Sequence, residues 1–209
     1  MISWPFLAVL FSGWLYVDAA YRGSDWQRWL FRPVTLLLLL AWGWNAEFIT
    51  ISGYLVLAGL LASLLGDMLR ILPGERLLAS IALIFISYLL YAISFGLQMN
   101  FSLYLPWLPV PIVLTLVTLL IIWTKLETLQ APVFALLIMS MIMVWVAGDQ
   151  YFGLAREVNF SIMVGACLLF LSNCIWLIAR FRYPFKASKA IVATLYFLGQ
   201  FLIIRSLYL

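Results

Sequence analysis

Runs of apolar residues recur along nearly the whole chain, and they constrain the fold more than any other feature. A helix needs about 20 apolar residues to cross a bilayer. In hydrocarbon every backbone polar group must be bonded internally, and unbroken apolar runs lack the alternation of barrel strands. The runs therefore predict about eight transmembrane helices, at residues 2–18, 31–45, 48–68, 77–97, 105–123, 131–147, 160–180 and 187–206.

Composition supports this fold class. Hydrophobic residues make up 67% of the chain and charged residues only 10%, whereas soluble domains carry about 25% charged residues. The loops are too short for a second domain, so residues 1–209 are predicted to form one all-α polytopic bundle. The second span is the shortest, and Arg32-Pro33 is expected to begin it, because proline is tolerated in a first helical turn.

Basic residues are distributed unequally between the two sides of this predicted bundle. Ten of the 12 Lys and Arg residues flank the loops that follow the odd-numbered spans, while Arg156 and Arg205 lie on the opposite side. The positive-inside rule then places the odd-numbered loops in the cytoplasm and both termini outside. The net charge of +4 is interpreted as contact with anionic lipid headgroups rather than as a nucleic-acid footprint.

Several kinds of site are disfavoured by the residues present. The chain has no histidine, and no cluster of Cys or carboxylates replaces the imidazole ligands that a catalytic zinc ion normally needs. Haem ligation through histidine is excluded in the same way. We therefore expect neither a metal ion nor a cofactor.

Polar residues inside the predicted spans are the candidate functional residues, because polar and ionisable groups are costly in lipid. Asp67 lies near the end of the third span, where it can instead pair with Arg70 three residues later. Asn173 lies deep in the seventh span, where it can instead form an interhelical hydrogen bond. Five further residues in these spans carry polar groups and are also candidates: Arg32, Tyr88, Tyr91, Tyr196 and Gln200.

Four segments carry a family resemblance: ASLLGDMLRILP, FISYLLYAISF, GACLLFLSNCIWLIARF and ATLYFLGQFLI. In this order and spacing they resemble the YhhN family of eight-helix membrane proteins, and the ending RSLYL is most similar to enterobacterial members. The likeness extends over essentially the full chain. Characterised members of the family are lysoplasmalogenases, so the resemblance implies a bacterial inner-membrane enzyme that hydrolyses the vinyl ether bond of lysoplasmalogen-type lyso-phospholipids.

The resemblance also implies site residues. The Gly-Asp of the family's third helix corresponds to Asp67, the expected general acid. Its second aspartate corresponds to Asn173, which can orient water but cannot ionise, and a common histidine corresponds to Tyr88. Tyr88, Tyr91, Tyr196 and Gln200 are expected to contact the lipid, and basic side chains are expected to bind its phosphate, namely Arg32, Arg180 and Arg70.

Two other classes of function remain open. The departures at Asn173 and Tyr88 are compatible with a lipid-binding or lipid-homeostasis protein that does not catalyse. A small transporter has the least support, because only LPWLPVP at residues 105–111 interrupts a span. The small residues Gly59, Ser63 and Gly66 allow close helix packing within one chain or between copies, so the oligomeric state is undetermined.

Overall fold

A computed structural model describes residues 4–22, 25–46, 50–71, 76–98 and 104–209. Within these ranges the chain forms eight α-helices: α1 (Trp4–Arg22), α2 (Asp25–Trp44), α3 (Ile51–Ile71), α4 (Leu77–Gly96), α5 (Pro109–Ile122), α6 (Gln130–Leu154), α7 (Glu157–Phe181) and α8 (Ser188–Arg205). Six helical segments are long and apolar enough to cross a membrane, and the shorter apolar stretches Leu7–Ala19 and Leu30–Trp44 lie in α1 and α2. The predicted all-α polytopic bundle is confirmed.

The N-terminal boundary of α2 differs from the prediction. The helix begins at Asp25, so Pro33 is an interior residue and the expectation that Arg32-Pro33 begins the helix is wrong. The apolar run marks only the lipid-embedded part of a helix, and the polar residues before it are helical as well. Proline removes one backbone donor, which membrane helices tolerate because neighbouring groups supply alternative hydrogen bonds.

The connection between α6 and α7 is also shorter than predicted. α6 continues to Leu154 and α7 begins at Glu157, which leaves a two-residue turn whose Ala155 has a left-handed φ of 45°. Gly148-Asp149-Gln150 ended the apolar run in the sequence. The structure nevertheless buries Asp149 and Gln150 inside the bundle, so polarity alone was a poor guide to the end of this helix.

The most extensive helix–helix contacts are those of α3 with α4 and of α7 with α8, and both pairs are antiparallel. Arg70 at the end of α3 contacts Ser80 at the start of α4, whereas Ser52 near the start of α3 contacts Ser94 near the end of α4. The C-terminal ends of α1, α3, α5 and α7 therefore lie at one end of the bundle. We call it the basic end, because ten of the 12 basic residues lie in the sequence at or near the ends of these helices and the starts of the helices that follow them.

Two glycine contacts allow the helices to approach closely. A Cβ atom on Gly59 of α3 would lie 2.6 Å from the ring of Tyr91 on α4. A Cβ atom on either Gly165 of α7 or Gly199 of α8 would lie 2.9 Å from the carbonyl oxygen of the other. Small residues at such crossings allow membrane helices to pack closely. This packing is important because the hydrophobic effect does not drive helices together within lipid.

Candidate functional site

The centre of the candidate site is an ion pair between α2 and α3. Nη2 of Arg32 lies 2.7 Å from Oδ1 of Asp67. The Asp67 side chain is only 3% exposed and that of Arg32 17%. A buried carboxylate is costly without such a partner, so Arg32 compensates the charge that α3 carries into the bundle. The arginine that was expected to bind a lipid phosphate is thus already engaged by a protein carboxylate.

Arg70 is the second cation of the site, but its closest contacts are with residues other than Asp67. Its Nε donates to the hydroxyl oxygen of Ser80 at 2.8 Å, and its guanidinium lies 3.8 Å from the ring centroid of Trp176. Nη1 of Arg70 is 3.9 Å from Oδ1 of Asp67. The i,i+3 pairing foreseen from the sequence exists, but it is longer than the pairing of Asp67 with Arg32.

Two tyrosines complete the surroundings of Arg32. The phenol oxygen of Tyr16 on α1 accepts a hydrogen bond from Nη1 at 3.3 Å. The rings of Tyr16 and Tyr196 lie 5.8 and 5.7 Å from the guanidinium carbon, within the range of cation–π attraction. Side chains from α1, α3 and α8 therefore fix the position of this arginine.

A small cavity of about 20 Å³ adjoins the ion pair. Its walls come from five helices, α2, α3, α4, α7 and α8, and consist of Arg32, Asp67, Arg70, Ile84, Tyr88, Ser172, Asn173, Trp176, Val192 and Tyr196. Six predicted site residues thus share one cavity: Arg32, Asp67, Arg70, Tyr88, Asn173 and Tyr196. Because Ser80, Arg70 and Trp176 lie near helix ends that face the basic end, the cavity belongs to that half of the bundle.

Four polar atoms of the lining residues are buried without a hydrogen-bond partner in the described part of the protein. They are Nε of Arg32, Oδ2 of Asp67, Nδ2 of Asn173 and the hydroxyl oxygen of Tyr196. The hydroxyl of neighbouring Ser172, by contrast, donates to the carbonyl of Val192 at 2.9 Å. The interhelical hydrogen bond considered for Asn173 is therefore not made by its amide nitrogen.

Three other predicted site residues do not line the cavity. The Tyr91 hydroxyl donates to Oε1 of Gln200 at 2.6 Å, and Nε2 of Gln200 donates to Ser63 at 3.3 Å. Ser63 in turn donates to the carbonyl of Leu60. This chain ends on a backbone acceptor and joins α3, α4 and α8, so its role is structural. Arg180 is exposed at the end of α7.

Sequence reasoning did not identify two aromatic residues at the site, Tyr16 and Trp176. Nothing in their local sequence distinguishes them from the many other aromatic residues of the chain. It also did not identify Asp149, which is fully buried in α6 and accepts a hydrogen bond from the backbone of Tyr104. Its position within an apolar segment was the available signal. Across the described ranges, no three Cys, Asp or Glu side chains cluster as metal ligands.

Fold and site together define a polytopic helical membrane protein with a buried, ion-paired polar site near one end of the bundle. The sequence model of the YhhN family matches residues 27–207. Proteins described as uncharacterized membrane protein YhhN, from Escherichia coli O6:H1, Escherichia coli O157:H7 and Shigella flexneri, are each 50% identical over 206 residues, which cover 99% of both chains. The chain belongs to the YhhN family. No solved structure matches it.

Proposed function

We propose that this protein is a lysoplasmalogenase-like hydrolase, which cleaves the vinyl ether bond of a lyso-phospholipid into a fatty aldehyde and a glycerophospho-base. The observation that carries the proposal is the free oxygen of Asp67. One carboxyl oxygen, Oδ1, is held by Arg32, while the other, Oδ2, is buried without a partner among the described residues beside the cavity. A fixed carboxyl group with one available oxygen is suited to proton transfer.

The reaction can proceed through this one carboxyl group. In the free protein Asp67 is the carboxylate that pairs with Arg32, and for the reaction it takes up one proton at Oδ2. It gives this proton to the alkenyl carbon distal to the ether oxygen, and the carbon next to that oxygen becomes part of an oxocarbenium ion. Arg32 stabilises the carboxylate left behind. Water then adds to the cationic carbon and returns a proton to Asp67, which gives a hemiacetal. The hemiacetal loses its hydroxyl proton, the glycerol oxygen takes one up, and the two products separate.

In this scheme the family's second aspartate is dispensable. The proton that leaves Asp67 is replaced by one from the attacking water, so the carboxyl group is regenerated in each turnover. Asn173 lies on the same cavity and can orient water through its amide. The carboxylate of Asp67 also stabilises the positive charge that develops on the substrate.

The charges of the site favour a substrate that carries a phosphate. Arg32 and Arg70 contribute two positive charges and Asp67 one negative charge, so one cation has no buried counterion within the ion-paired cluster. The Arg70 side chain is 14% exposed, and Arg180 is exposed at the same end of the bundle. A lipid phosphate at the basic end would complement them, because guanidinium groups bind phosphate strongly. The alkenyl chain would then extend into the bundle.

The size of the cavity requires the helices to separate before catalysis. About 20 Å³ accommodates little more than one water molecule, so a vinyl ether group reaches Asp67 only after the surrounding helices move. The contact between Arg70 and Trp176 joins α3 to α7 near the basic end, and its opening is the simplest route for the substrate.

The experiment uses purified protein with lysoplasmenylethanolamine in D₂O. Proton transfer to carbon places one deuterium on carbon 2 of the released aldehyde, which mass spectrometry detects after reductive trapping. We expect Asp67→Asn to abolish release. Asp149→Asn is the matched control, because this second buried aspartate is away from the cavity and asparagine keeps an acceptor for the Tyr104 amide. Undiminished release by Asp67→Asn would contradict the role of Asp67.

A lipid-binding protein without catalysis is the second candidate, and the pairing of Arg32 with Asp67 favours it. In that case the aspartate serves to neutralise a buried arginine and not to transfer a proton. Native mass spectrometry would then show lysoplasmenylethanolamine bound and still intact after prolonged incubation with the wild-type protein.

A further inference from the structure

The four unpartnered polar atoms beside the Arg32–Asp67 pair have complementary chemistry. Nε of Arg32 and Nδ2 of Asn173 are hydrogen-bond donors, whereas Oδ2 of Asp67 and the Tyr196 oxygen have lone pairs that accept. Each of these residues lines the same cavity. Asp67, Asn173 and Tyr196 are 2%, 5% and 7% exposed, so bulk water does not satisfy them.

The volume of the cavity limits what can bind there. A water molecule needs a cavity of roughly 10–15 Å³ and two to four polar partners. The cavity measures about 20 Å³, which is enough for one water and too little for a phosphate, an ethanolamine or a segment of alkyl chain. Buried polar atoms are nearly always hydrogen-bonded in native proteins, which is a second reason for a small polar occupant.

We propose that this cavity binds one ordered water molecule through these four residues. The water accepts hydrogen bonds from Arg32 and Asn173, and it donates one hydrogen bond to Asp67 and one to Tyr196. This arrangement uses both lone pairs and both protons of one water, and it gives each of the four protein atoms a hydrogen bond.

If the proposed hydrolysis is correct, on which this further step rests, this water is the nucleophile. A water that donates to Oδ2 of Asp67 is beside the group that receives its proton in the addition step. Asn173 then has a positioning role: its amide donates to the water oxygen and directs the water towards the carboxylate. A carboxylate at position 173 would accept a hydrogen bond from the water instead of donating one, and it would therefore orient the water differently.

The water can be detected directly by X-ray radiolytic labelling of the protein in lipid nanodiscs prepared in H₂¹⁸O. Irradiation converts a bound water to hydroxyl radical, which adds ¹⁸O to a neighbouring side chain even when that side chain is buried. We expect ¹⁸O on Tyr196. Tyr91 is the internal control, because it is also buried, at 0% exposure against 7% for Tyr196, but is hydrogen-bonded to Gln200 and does not line the cavity.

A variant gives a second measurement. Asn173→Leu removes one donor and occupies space in the cavity, so the label on Tyr196 should be lost while that on Tyr91 stays at its low level. Labelling of Tyr196 in the wild-type protein no greater than that of Tyr91 would overturn the water site. If Tyr196 is labelled but no aldehyde is released, the water site is supported and the hydrolase is refuted. If aldehyde is released but Tyr196 is not labelled, the hydrolase is supported and the water site is refuted.

Discussion

The ion pair between Arg32 and Asp67 leads to a quantitative prediction about stability. Removing one partner of a buried pair costs about 3–5 kcal/mol, because the other charge stays buried. Asp67→Leu leaves two guanidinium groups near one another without an anion, so we expect a loss near the upper value, about 5 kcal/mol. Arg32→Met should cost about 3 kcal/mol, because Arg70, only 3.9 Å from Asp67, remains as a partner.

The double variant, Arg32→Met with Asp67→Leu, should recover most of this loss. It removes the Arg32–Asp67 pair and replaces it with apolar side chains, a change that is often neutral for buried pairs. Arg70 loses its more distant anion but keeps its contacts with Ser80 and Trp176. At about 2–4 °C per kcal/mol for a chain of this length, Asp67→Leu should lower the melting temperature by roughly 10–20 °C. We expect the double variant to melt within about 4 °C of the wild-type protein.

The assay is thermal unfolding in detergent micelles, followed by intrinsic tryptophan fluorescence, for the wild-type protein, the two single variants and the double variant. Additive losses in the double variant would refute the reasoning, because they would mean that Arg32 and Asp67 stabilise the fold through separate contacts. A stable double variant also provides a folded protein without Asp67 for the hydrolysis assay, so that loss of activity is not confused with loss of structure.

Two further predictions concern packing and topology. Gly59→Ala should destabilise the bundle by about 1–3 kcal/mol through overpacking, because its Cβ would lie 2.6 Å from the Tyr91 ring, whereas Gly96→Ala, with nothing within 4 Å of the new Cβ, should leave the melting temperature unchanged or raise it. For topology, a membrane-impermeant maleimide should label Arg156→Cys in intact cells and Lys186→Cys only after permeabilisation, in a background without other cysteines. The reverse pattern would contradict the assignment of the basic end to the cytoplasm.

The sequence predicted the number and type of the helices well, because the length of an apolar run is a direct consequence of bilayer thickness. It predicted helix ends less well. The start of α2 at Asp25 and the end of α6 at Leu154 lie beyond the apolar runs, since helical hydrogen bonding continues through polar residues that are buried or near the membrane surface.

The site was predictable in part for a similar reason. Asp67 and Asn173 were identified because polar groups in lipid are costly, and they line one cavity. The partners of Arg32 were not predictable. Tyr16 and Tyr196 are 180 residues apart in the chain, and only the packing of α1 and α8 around α2 brings both rings to the guanidinium. Likewise, nothing in the sequence indicates that the side chains of Tyr91 and Gln200 form a hydrogen bond with one another.

The position of the ion pair on α2 and α3 has a consequence for biosynthesis. A charged residue inside an inserting helix is costly at the translocon, by up to about 2.5–3.5 kcal/mol at the helix centre. Arg32 and Asp67 lie on consecutive helices, so the two charges can neutralise one another as soon as the second helix of that hairpin enters the membrane. Tyr196, by contrast, arrives only with α8. The Arg32–Asp67 pair can thus form early in synthesis, whereas the site is complete only when α8 has inserted.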